Sequence, residues 1–163
     1  SNRTLYIHKL RKSFNMESLF LILHILCGTT GLAIAVGAFL SEKRKGIHTI
    51  LGNIYHWIFL VMCMSAAALS VIDWDRLWWF LPIAFFSYAF ALVGFLAARF
   101  KPRDWIRLHL AGQGGSYIAM ITAVLVVNFG SGSFIVWFLP TIIGTPLIIF
   151  FAREVKTGRK QIS

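Results

Sequence analysis

Charge is what this chain has least of. Only 13% of its 163 residues are Asp, Glu, Lys or Arg, and six of those are acidic. None falls within Ser18–Ser41, Gly46–Ile72, Leu77–Ala98 or Leu108–Ala152. A soluble domain is about 25% charged, and these stretches would leave one with no surface to solvate. With no Asp or Glu in them, the usual carboxylates of an intramembrane proton or cation path are missing as well. Cysteine is scarce: Cys27 and Cys63 form no C-x-x-C pair and read as small apolar residues, not as a disulfide or metal framework. No G-x-G-x-x-G, P-loop or H-E-x-x-H string occurs, which removes the signatures of dinucleotide, P-loop and zincin chemistry. A metal hydrolase needs a carboxylate beside its histidines, and Glu42 and Asp104 read as solvated loop residues.

What is present is apolar. The hydrophobic fraction is 58%, the mean hydropathy is +0.73, and there are 15 Phe and 6 Trp. A hydrocarbon core about 30 Å thick is crossed by roughly 20 apolar residues in helical form. Each uncharged stretch is long enough, and Gly130-Ser131-Gly132-Ser133 is a turn signal that splits the last into two spans. The fold class is therefore all-α, a polytopic bundle of five transmembrane helices, with the lipid bilayer as its first partner. Residues 16–163 form that domain. Residues 1–15 read as an N-terminal extension that is not native to the chain: Met16-Glu17 immediately precedes the first span and resembles a natural start. The alternative is an interfacial amphipathic segment, since Leu5, Ile7 and Leu10 alternate with cations.

The net charge of +10 is not the footprint of a nucleic-acid partner, because the cations sit in short loops beside span ends. Lys43, Arg44 and Lys45 follow span one. Arg99, Lys101, Arg103 and Arg107 follow span three, and Arg153, Lys156, Arg159 and Lys160 follow span five. All three groups share one side. The other side has Asp73, Asp75 and Arg76 with Trp74, Trp78 and Trp79 as interfacial anchors, and would also receive Arg3, Lys9, Arg11 and Lys12 of residues 1–15, against the trend. The positive-inside rule then predicts a multi-pass plasma-membrane protein with its N-terminus outside and its C-terminus cytoplasmic.

The polar groups inside the spans are mainly His24, His48, His56 and His109. His48 opens span two and His109 opens span four, so the two lie at equal depth, flanked by Lys45 and Arg107. Imidazole is a common metal ligand and a usual axial ligand of haem iron, and two rings on facing helices are placed to clamp one haem b with cations near its propionates. Snorkelling to the interface is the plainer reading of each ring alone. His56 lies about 12 Å deeper than His48 and is expected to be a core histidine hydrogen-bonded to a neighbouring helix. His24, alone in the apolar layer of span one, needs a partner or a cavity. On span four, His109, Gln113 and Ser116 share one face, thinned by Gly112, Gly114 and Gly115. That face serves either tight packing or a flat porphyrin or quinone ring. Pro140 and Pro146 in span five predict a kink.

The string His24-x3-Gly28-x2-Gly31, then Lys45-Gly46-x-His48-x3-Gly52-x2-Tyr55, resembles the bacterial membrane-protein family catalogued as domain of unknown function 2306. The run from His109 through Gln113-Gly114-Gly115-Ser116-Tyr117 to Asn128 is similar to a later segment of some members. The resemblance implies no activity. It singles out His24, His48 and His109. The bundle is also similar to b-type cytochromes, although those with two haems need two level histidine pairs.

Two functional readings follow. In the first, His48 and His109 are the iron ligands and Lys45, Arg107 and Gln113 complete a haem b site for electron transfer or haem handling, with a membrane redox protein or quinone as partner. In the second, the chain is a non-enzymatic small-molecule binding or transport module, or an accessory subunit of a membrane complex, and holds no haem.

Overall fold

The computed structural model describes residues 2–42, 46–130 and 132–156, and the side chains of Met16–Glu154 within those bounds. Among them every regular element is helical. α1 (Asn2–Leu40), α2 (Ile47–Ile72), α4 (Phe80–Phe100), α5 (Trp105–Phe129) and α6 (Phe134–Lys156) are long, and α3 (Trp74–Leu77) is a single turn. Five segments are long and apolar enough to cross a bilayer: Met16–Leu40, Ile47–Ile72, Phe80–Phe100, Trp105–Phe129 and Phe134–Glu154. The chain is an integral, multi-pass membrane protein.

The helix ends follow from local chemistry. α1 stops where the Ser41 backbone N–H bonds the Gly37 carbonyl and its hydroxyl bonds the Ala38 carbonyl. Gly46 (φ 136°) opens α2 and Gly130 (φ 90°) closes α5, both with backbone that side chains disfavour. Lys101 turns left-handed at the end of α4, and the following Pro102 cannot continue a helix. α3 is not evident from the sequence, where Asp73–Arg76 reads as a loop. Arg76 holds this turn, with Nε 2.7 Å from Asp73 Oδ2 and Nη2 3.5 Å from Glu17 Oε1. That contact sets the start of the first span beside the end of the second. α1 continues unbroken below Met16 to Asn2, so residues 2–15 extend the helix of span one. α6 runs unbroken through Pro140 and Pro146.

The bundle is built from two antiparallel hairpins, α1–α2 and α4–α5. α2 is the most enclosed helix and carries Tyr55, Phe59, Met62 and Cys63 into a core completed by Ala84, Ala91 and Met120. α2 packs along α4, whereas α1 approaches α5 near Gly31 and Met120. α4 and α5 cross backbone to backbone: a Cβ on Gly112 would lie 2.6 Å from Gly94 Cα and 2.6 Å from the Phe90 carbonyl oxygen. α6 docks on α5 by reciprocal knobs, Ile148 over Gly114 and Ile118 over Gly144. It also touches α1 through Phe39 and Phe151, whose ring centroids are 5.7 Å apart. Large apolar side chains such as Ile22, Leu26, Phe85, Phe86 and Ile142 point outward, as lipid-facing residues do.

Candidate functional site

The structure brings His48 and His109 together. Each sits near the start of the second helix of its hairpin, with ring centroids 6.1 Å apart and planes at 79°. His48 Nδ1 lies 2.9 Å from the Ala38 carbonyl and 3.3 Å from the Ser41 hydroxyl oxygen, both from the end of α1. His109 Nδ1 lies 2.9 Å from the Gly94 carbonyl on α4. A carbonyl oxygen can only accept. Both neutral rings therefore carry their proton on Nδ1 and their basic lone pair on Nε2. Each hairpin thus uses a carbonyl of its first helix to fix the tautomer and tilt of the histidine on its second.

With centroids 6.1 Å apart, the two rings are near enough for both to reach one metal ion at bond lengths of ~2.0–2.1 Å. Nδ1–H donation to a carbonyl is also the usual outer support of a ligating histidine. Among the described residues no group of three His, Cys, Asp or Glu side chains is placed to hold a metal ion. A pair of imidazoles is the donor set this end of the bundle offers.

The expected surroundings are only partly present. Arg107 is exposed and makes no ion pair or hydrogen bond with the described residues, and Lys45 lies outside them. Beside His109 stands Trp105, centroids 6.5 Å apart, with Lys101 Nζ 5.4 Å over the Trp105 ring. Gln113 donates from Nε2 to the Ala91 carbonyl at 3.0 Å and so ties α5 to α4. The glycine-thinned face of α5 is a packing surface, covered by Gly94, Ile148 and Phe90 over Gly112, Gly114 and Gly115. It is not a berth for a flat ligand.

Two helical turns below the histidine pair is a second layer. Tyr55 is seven residues beyond His48 and Ser116 seven beyond His109, and their hydroxyl oxygens are 2.9 Å apart. Ser116 gives its own proton to the Gln113 carbonyl at 2.8 Å, so Tyr55 donates to Ser116. The layers share one face of each helix and lie ~10 Å apart along the bundle. The same seven-residue interval on both spans was the available signal for this layer. The carbonyl partners Ala38 and Gly94 had none, because every residue has a carbonyl.

The other two histidines do not join the pair. His24 Nδ1 lies 3.0 Å from the Met62 carbonyl and 3.2 Å from Ser65 Oγ, so its partner is the adjacent helix α2. His56 is buried in the α2–α4 seam, stacked on Phe95 at 3.9 Å and 10°, with Tyr88 5.8 Å away. The expected hydrogen bond to a neighbouring helix is not there: its buried Nδ1 has no partner. The aromatic side chains of α4 present flat surfaces in place of an acceptor or donor.

No family model matches this chain, and neither a curated protein nor a solved structure matches it.

Proposed function

We propose that this protein binds one haem b between His48 and His109 and serves electron transfer or haem handling at the basic end of the bundle. The observation that carries this reading is the pair of imidazoles with ring centroids 6.1 Å apart, each with Nδ1 tied to a carbonyl of its own hairpin. When bound, haem supplies one-electron exchange between ferric and ferrous iron. The chain's residues supply the rest. Ala38, Ser41 and Gly94 hold the two rings in orientation. Tyr55, hydrogen-bonded to Ser116, forms a polar floor below them. Arg107, exposed and two residues before His109 in the sequence, is the candidate cation for a carboxylate of the ligand.

By the distribution of Lys and Arg, the proposed site faces the cytoplasm and the Trp74–Trp79 end faces outside. A membrane redox protein or quinone would exchange electrons with it. Membership of the family catalogued as domain of unknown function 2306 belongs to the same proposal and rests on the strings quoted above.

The test is a reduced-minus-oxidised absorbance spectrum of protein expressed with ample haem. A low-spin b-type spectrum is expected in the unaltered protein and in His56→Ala, and its loss in His48→Ala and in His109→Ala. Folded protein with no Soret band would refute the haem reading and leave the pair as a polar binding pocket.

A further inference from the structure

His24 and His48 are held by the same device on different helices. At His48, the Ala38 carbonyl and the Ser41 hydroxyl three residues later both face Nδ1, and Ser41 donates to that carbonyl at 2.8 Å. At His24, the Met62 carbonyl and the Ser65 hydroxyl three residues later both face Nδ1, and Ser65 donates to that carbonyl at 2.7 Å. Ser65 is 1% exposed, which makes it a fixed post. The carbonyl again puts the proton of the neutral ring on Nδ1 and leaves the lone pair on Nε2.

That lone pair has a definite setting. Nε2 of His24 makes no hydrogen bond with the described residues, and it is not among the atoms sealed from the surface. It therefore keeps some exposure, at a depth where the surroundings of the bundle are lipid. An imidazole nitrogen in an apolar medium is costly unless a donor meets it. Glu17 lies on the same face of α1, seven residues and ~10 Å nearer the Trp end, where it meets Arg76 at 3.5 Å. A ligand at His24 would have this charged pair ~10 Å above it, toward the Trp end.

We propose that His24 Nε2 is the acceptor of a binding site for a lipid-soluble hydroxyl compound in the half of the bilayer near the Trp end. Ser65 is its positioning residue. A quinol and a long-chain alcohol share the required O–H donor, and a quinone lacks it. The site is independent of the haem reading, because Met62 and Ser65 stand ~21–26 Å along α2 from His48.

Protein labelled with 15N-histidine in detergent micelles tests this directly. The His24 Nε2 resonance, assigned by its loss in His24→Phe, is followed during titration with decylubiquinol, decylubiquinone and dodecanol. Saturable movement with decylubiquinol and none with decylubiquinone is the expected result. Movement with dodecanol as well identifies the ligand class as lipid alcohols in general; no movement with it narrows the class to ring hydroxyls. Ser65→Ala should raise the half-saturating concentration about fivefold, the worth of one ordinary hydrogen bond, and Ser65→Thr should restore it. A resonance unmoved by both hydroxyl compounds, or moved equally by quinol and quinone, would overturn the proposal.

Discussion

Replacing Gly112 with alanine should damage both the bundle and the histidine pair, because one contact serves both. The new Cβ would stand 2.6 Å from Gly94 Cα and from the Phe90 carbonyl oxygen, and a backbone cannot swing aside as a side chain can. α4 must retreat from α5. Overpacking of this kind costs ~1–3 kcal/mol, against which alanine's better helix propensity returns up to ~1 kcal/mol. A net loss of ~1–2 kcal/mol corresponds to a fall of roughly 2–8 °C in a chain of this size. Gly94 also supplies the carbonyl that anchors His109 Nδ1 at 2.9 Å, so the retreat loosens that ring. The assay is a thermal melt in detergent, with Gly52→Ala as control, since a Cβ there meets nothing within 4 Å. Gly115→Ala, whose Cβ would meet the Phe90 ring at 3.3 Å, should fall between the two. If Gly112→Ala melts with Gly52→Ala, α4 and α5 do not cross as described.

Further outcomes follow from the buried polar groups and the topology. Ser116→Ala strands the buried Tyr55 hydroxyl and should cost ~1–3 kcal/mol, whereas Tyr55→Phe leaves Ser116 bonded to the Gln113 carbonyl and should cost ~1 kcal/mol or less; melts of the two variants check the order. His56→Phe removes an orphaned buried nitrogen and keeps a flat ring against Phe95, so its melting temperature should equal or exceed that of the unaltered protein. A lower value would show that Nδ1 has a partner. Single cysteines at Asp75 and at Lys101, probed in intact cells with an impermeant thiol reagent, should label at position 75 alone.

The five spans were legible because absence of charge over about 20 residues has one cheap solution in a bilayer. The end of α2 at Ile72, and the division of α5 from α6 around Gly130 and Gly132, follow the same signals. The α3 turn was not legible, since Asp73, Trp74 and Asp75 are equally at home in an interfacial loop. Equal depth of His48 and His109 could be counted from the span starts. Their hydrogen bonds could not, because Ala38 and Gly94 act through backbone atoms that sequence does not distinguish. The reading of His56 failed for a related reason: burial was predictable, but the choice between a hydrogen bond and a stack against Phe95 depends on how α2 and α4 rotate. The glycines of α5 admitted both a ligand face and a packing face, and only the positions of Ile148, Phe90 and Gly94 decide between them.

Titration of the detergent-purified protein with hemin, followed by absorbance, tests the haem clamp most directly. One hemin per chain with a low-spin spectrum is expected, reduced to weak, high-spin binding in either His48→Ala or His109→Ala. Equal stoichiometry and an unchanged low-spin spectrum in both variants would contradict it.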